Sequence, residues 1–260
     1  MRLPLLFVLA STLAVGQAKE KKFEGDPKAT PGMNWQGQTV RATGSGAPDL
    51  KASNPAQARL GAERAALLDA MRNLLSQVKG VQIDGSKKMS DAMTDDRIAA
   101  RVEGVVKNYR VVGKRYFSDG GVEVDVEVSV AYLTDVFDPD PVQQLPTKTE
   151  GPKDNTGLVI DARGLKVTPA LAPRLLDDAG KTVYSVDSLS ADARKMTGVA
   201  SYVQSLEDAK KTLKVGDKPL VVKASKAQGA DILLAADDAK KLRDINAGFL
   251  TEGKVVIVTN

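Results

Sequence analysis

Any chemistry in this chain has to come from carboxylates, lysines and hydroxyls. Cys and His are both absent from the 260 residues. Their absence removes thiolate and zinc–thiolate chemistry, the Ser–His–Asp triad, the commonest general base and the commonest metal ligand. Carboxylates come close together in sequence at Asp95–Asp96, Asp177–Asp178 and Asp237–Asp238. Such pairs do acid–base work when they face one another across a cleft. Sequence neighbours on a helix or strand diverge instead. Two of the pairs stand at predicted helix starts and one at a predicted turn, so capping and turn hydrogen bonds account for them. A further row, Glu123, Asp125 and Glu127, alternates along one predicted strand and could attract cations. Carboxylates on one strand face repeat about every 7 Å, too wide for a tight calcium cage without other ligands. A solvated face paired with Lys114 or Arg110 is the expectation. Gly44, Ser45 and Gly46 have the small residues of a phosphate-binding loop, but Pro48 and a polar segment follow where a helix is needed. They read as a turn that ends a strand. No residue is assigned as catalytic, cofactor-binding or metal-ligating, and no cofactor is expected.

The elements that must position these groups lie between residues 54 and 130. Leu60, Leu67, Leu68, Met71, Leu74, Leu75 and Val78 recur at spacings of three, four and seven, which predicts a helix over about 55–79 with this stripe as its core face. Asn54 is its N-cap, Pro55 suits the first position, Gln57 can complete a capping box, and Gly80 offers a left-handed C′ residue. A second helix is predicted from Thr94 as N-cap, with Asp95 and Asp96 at its positive end and Ile98, Val102, Val105 and Val106 inward. A hairpin follows. One strand covers 109–117, with Gly113 as a bulge, and residues 118–121 turn. In the return strand Val122, Val124, Val126, Val128 and Val130 face the core, while Glu123, Asp125, Glu127 and Ser129 face water. Upstream, residues 38–41 read as a short strand, and residues 81–83 as another.

The rest of the chain bounds the class and the compartment. Residues 1–18 resemble a secretory signal peptide. Arg2 supplies the charge, residues 3–15 the apolar region, and Gly16 and Ala18 the small residues for cleavage after Ala18. That run is short for a membrane span of about 20 residues, and no transmembrane span is expected after cleavage. Residues 19–32 form a polar tether. Residues 137–154 carry Pro139, Pro141, Pro146 and Pro152 and read as a semi-rigid linker between an α+β domain at 33–136 and a second at 155–260. The second is expected to be mostly β, with strands at 157–162, 220–224, 232–234 and 255–258, a hairpin about Asp178–Gly180, and helices at 205–213 and 235–247. Aromatics are only 4% of the chain and its net charge of +4 is interleaved, so no nucleic-acid groove of clustered cations and stacking rings is expected.

Three stretches, TVRATGSGAP at 39–48, ARLGAERAALLDAMRNLLSQVKGVQIDG at 58–85 and VEGVVKNYRVVGKRYFSDGGVEVDVEVSV at 102–130, are similar to the Lpp-twenty family of small bacterial envelope lipoproteins. That group includes flagellar assembly protein T and the flagellar disk lipoprotein P. The resemblance covers roughly residues 38–132, and the stretch GLVIDARGLKVTPALAPRLLDDAGKTVY at 157–184 looks like the C-terminal region of longer exported relatives. It implies a non-enzymatic periplasmic or outer-membrane-associated protein, in flagellated members part of a ring or disk. The chain departs from the pattern in having no cysteine to carry the lipid, which leaves peripheral membrane contact rather than a lipid anchor. The expected function is assembly or scaffolding in the cell envelope, by self-association or with other envelope or flagellar proteins. The competing expectations are a periplasmic binding module for a glycan or small ligand, and a hydrolase using carboxylates and lysines. Self-association is expected to match the acidic row against a basic surface containing Arg101, Lys107, Arg110 and Lys114, and so to weaken with salt.

Overall fold

The computed structural model describes residues 31–137, 148 and 150–259. The predicted leader at 1–18, the tether up to residue 30 and linker residues 138–147 lie outside them. Gly32, at the end of the predicted tether, already belongs to a strand. The fold is α+β, with an antiparallel sheet in the first half and a larger mixed sheet in the second.

The first half is built on α1 (Pro55–Lys79). Its Asn54 cap accepts a hydrogen bond from the Gln57 backbone N–H at 2.9 Å, with Pro55 in the first turn. Gly80 ends it in a right-handed conformation (φ −77°), not the left-handed one expected. The buried row is Ala62, Ala66, Ala70, Leu74 and Val78, a strict i, i+4 series. The leucine stripe expected in the core is only partly there: Leu74 and Val78 are buried, Leu67, Met71 and Leu75 are half-buried, and Leu60 and Leu68 are 57% and 58% exposed. The reason is the strand beneath. β2 (Thr39–Gly46) is longer than the residues 38–41 expected, and Gly44 and Gly46 are inside it rather than in a turn beyond it. A Cβ on Gly44 would stand 2.0 Å from the Ala70 backbone nitrogen, and one on Gly46 2.0 Å from the Ala62 carbonyl oxygen. Helix and strand therefore meet backbone to backbone, and alanine and glycine, not leucine, fit that contact.

The sheet under α1 has the order β1-β2-β4-β3, with β1 (Gly32–Asn34), β3 (Arg110–Tyr116) and β4 (Val122–Ser129), all pairs antiparallel. The register of β3 on β4 slips between Val111 and Gly113, which is the bulge expected at Gly113. Val122, Val124, Val126 and Val128 all point into the core under α1. Val130 does not extend the strand; it starts a short helix, α4 (Val130–Thr134). Between α1 and β3 come α2 (Met89–Ala92) and α3 (Asp96–Lys107). The cap of α3 is Asp95, one residue beyond Thr94, and it accepts from Arg97 N at 2.8 Å.

In the second half the sheet order is β7-β6-β10-β9-β5-β11-β8. β5 (Gly157–Asp161), β9 (Pro219–Gln228), β11 (Val255–Val258) and β8 (Ser201–Val203) form a parallel centre. β10 (Asp231–Leu234) returns antiparallel on β9, then lies parallel to β6 (Leu175–Leu176), which pairs with β7 (Thr182–Tyr184) in the expected hairpin. The helices are α5 (Ala191–Thr197), α6 (Leu206–Lys211), α7 (Ala236–Asp244) and α8 (Gly248–Thr251). Leu158, Ile160, Val255 and Ile257 enter the main core, while Val159, Val256 and Val258 join Ala209 and Val215 in a small core on the other face. Strands covered on both faces are continuously apolar, as parallel strands generally are.

One apolar core runs through both halves. Trp35 meets Tyr202 edge to face at 5.4 Å between ring centroids. The backbone of residues 82–83 accepts hydrogen bonds from Leu171 N at 2.9 Å and Ala172 N at 2.7 Å. At the margins of the Pro-rich segment, the Phe137 carbonyl accepts from Arg194 Nη1 and Lys148 Nζ donates to the Asp244 carbonyl, both at 2.9 Å.

Candidate functional site

The acidic row is not an open face. Glu127, buried at 5% exposure, is held by Arg41 Nη2 at 2.8 Å and by Arg110. Asp125 accepts from Thr43 Oγ1 at 2.6 Å and from Arg115, which also reaches Glu123. Burial alone would push the Asp125 and Glu127 carboxyls up, but the guanidinium and hydroxyl donors outweigh it and hold both below the ordinary carboxylate range. Arg110 pairs as expected, whereas Lys114 reaches Glu63 on α1 instead of the row. That bond lowers the Glu63 carboxyl. The basic surface proposed to meet a second copy's acidic row is thus largely used within the chain: Arg110 and Lys114 have the partners just named and Lys107 lies near Glu103. The Asp pairs sit where caps and turns need them. Asp95 caps α3, Asp177 closes the β6–β7 turn through Lys181 N and binds Arg243, and Asp237 and Asp238 lie in the first turn of α7.

Among the described residues, concave surfaces lie between the halves in two places. The first is a charged cleft of about 410 Å³, between the α2 and α3 region on one side and residues 172–187 on the other. Asp84, Lys87 and Asp91 line it together with Arg174 and Asp187, and Ile98 and Phe137 add apolar lining. Arg174 is already bound to Asp231, at 2.9 Å through Nε. Asp84 is pushed up by burial but brought below its usual range by Ser86 and the Lys87 backbone N–H. The second is a more open groove of about 630 Å³, between the ends of β2 and β4 and helix α5. Its lining includes Ala131, Ala193, Met196 and Leu213, with Lys214 among them. Met196 is 81% exposed and Leu213 97%.

Lys214 is the unusual group in that groove. Its Nζ donates to the Thr197 carbonyl at 2.9 Å and the Ser201 hydroxyl at 3.2 Å, and no carboxylate of the described residues lies within ion-pair distance. Burial lowers its ammonium from 10.5 to about 7. An amine so placed can accept a carboxylate or act as a base. Ser201 is close enough for a serine–lysine dyad, but it is not among the residues lining the groove. Sequence reading missed Lys214 because the groups that bury and hold it come from α5 and β8. The local signal is only a lysine between Leu213 and Val215.

Residues 157–260 match the family model described as Treponema pallidum Tp0624, second domain. The match begins with β5 and takes in the whole seven-stranded sheet. No curated protein matches the chain.

Proposed function

We propose that this protein is a non-enzymatic, exported component of the cell envelope, acting in the periplasm or at the outer membrane by assembly with itself or with other envelope proteins. A station at the flagellum is the narrower form of this reading and follows from the Lpp-twenty resemblance. The observation that carries the assembly reading is the outer side of α1. Leu60, Leu67, Leu68, Met71 and Leu75 fall within roughly 100° of arc at the helical period of about 3.6 residues per turn. Leu60 and Leu68 are more than half exposed there. Tyr116 is 52% exposed close by, under the Arg59 guanidinium at 5.8 Å. α1 seats Ala62, Ala66 and Ala70 with Leu74 and Val78 inward, keeps Leu67, Met71 and Leu75 half-buried and leaves Leu60 and Leu68 outward. An exposed apolar strip of this kind marks an interaction surface. The carboxylates support a non-catalytic reading. Among the described residues every carboxyl with a shifted pKa is shifted down, whereas a general acid at neutral pH needs one pushed up.

Because the charged partners are paired within the chain, association through α1 should persist or strengthen at high salt, the reverse of a charge-matched contact. Light scattering of the mature protein against concentration, at low and high salt, is the test. We expect oligomers at tens of micromolar under both conditions, and their loss in a Leu60→Glu, Leu68→Glu double variant. A monomer throughout removes self-assembly. A second reading, a periplasmic binding module for a glycan or small ligand, is favoured by the two concavities between the halves.

A further inference from the structure

We propose that the groove between the β2 and β4 ends and α5 binds a monocarboxylate with an apolar tail, the carboxylate on Lys214 and the tail along Met196 and Leu213. The size is that of a small-molecule site. Of its apolar lining, Ala131 and Ala193 are buried while Met196 and Leu213 are exposed, and together they line a concave surface that a chain of methylenes could fill. Lys214 has two of its three N–H groups on protein acceptors, which leaves one for a ligand.

The charges around the groove choose the ligand class. Besides Lys214, the charged side chains lining it are Asp192, Glu252 and Lys254. Lys254 and Glu252 pair with each other at 2.6 Å. Asp192 is exposed in the first turn of α5. Among the described residues, Lys214 is therefore the cation of the lining that has no carboxylate partner. A single ammonium, with no guanidinium fork beside it, suits one carboxylate better than a phosphate dianion. Among the described residues, the lining has no aromatic ring on which a sugar could stack. Binding also couples to protons. With the free amine titrating near 7, a bound carboxylate restores the ammonium, so affinity is highest below pH 7 and falls as pH rises above it.

Calorimetric titration of the purified protein with dodecanoate, and with uncharged dodecanol, tests this at pH 6.5 and 8.5. We expect saturable one-to-one binding of dodecanoate, roughly tenfold weaker at the higher pH. Lys214→Met should weaken dodecanoate about tenfold at pH 6.5, remove the pH dependence and leave dodecanol unchanged. Leu213→Ser, at a position that packs on nothing, keeps the fold and should weaken both ligands. Absence of saturable dodecanoate binding overturns the proposal. So does equal affinity and equal pH dependence in wild type and Lys214→Met. This site gives the binding-module reading a ligand class and is separate from the α1 surface. Failure here with another small ligand still bound would leave that reading and remove only the carboxylate, while light scattering judges assembly independently.

Discussion

A carboxylate on a strand can be a ligand waiting for a cation or the centre of a local ion cluster, and Glu127 is the second. Arg41 and Arg110 approach it from the strands on either side of β4, and burial makes it dependent on both. Its folded pKa lies below the ordinary 4.5. As pH falls, the unfolded chain therefore takes up the proton first. The stabilisation is complete above the unfolded value and is lost as pH drops through the folded one. Glu127→Gln should cost about 1.5–3 kcal/mol at pH 7, the range for hydrogen bonds to charged groups. In urea unfolding followed against pH, that difference should shrink towards zero on the acid side of 4.5. A difference independent of pH would mean that Glu127 acts through packing rather than charge. The sequence shows the alternation and the neighbouring arginines. It does not show that Arg41, 86 residues away, is one of the two that matter.

At the scale of elements, the contact of α1 with β2 decides how the first half folds. Two glycines in the strand and alanines every fourth residue in the helix let the backbones approach until no Cβ fits at the glycines. Gly44→Ala would place a methyl 2.0 Å from the Ala70 nitrogen and 2.3 Å from the Ala66 oxygen. Backbone cannot rotate away as a side chain can, so a loss of about 3 kcal/mol or more is expected, at the upper end for overpacking. Gly61→Ala is the control, since a methyl there has nothing within 4 Å. In a helix interior it should gain about 0.5–1 kcal/mol. Denaturant midpoints of the two variants moving in the same direction would contradict this packing. The TVRATGSG stretch and the alanine series are both visible in the sequence. Their meeting was not, because periodicity credits leucine before alanine and reads glycine as a turn.

Across the whole molecule, the two halves share a core. Trp35, the single tryptophan, belongs to the first half and rests on Tyr202 of the second. Its fluorescence therefore reports the contact itself. Unfolding followed by that fluorescence and by far-UV circular dichroism should give one transition with one midpoint. Tyr202 is 3% exposed and its hydroxyl hydrogen-bonds with the Ala170 backbone. Tyr202→Ala should therefore cost about 3–5 kcal/mol, the range for large aromatic truncations, and move both signals together. Midpoints that separate would show halves that fold independently and merely touch.

The sequence by itself determined what rests on local periodicity and on residue inventory. These are the span and N-cap of α1, the bulged hairpin of β3 and β4, the turn between β6 and β7, the α+β class, and the exclusion of thiol and imidazole chemistry. Each depends on residues within a few turns of one another, or on simple absence. Only the tertiary structure decided which face of α1 is buried, because that depends on how small the opposing strand's residues are. It alone gave the parallel order of β9, β5, β11 and β8, since an apolar run such as VVIV names no neighbour. It also placed Lys214 in a groove where, among the described residues, no carboxylate pairs with it. Burial of a charge is set by side chains from elements distant in sequence, and no local pattern encodes the dielectric they create.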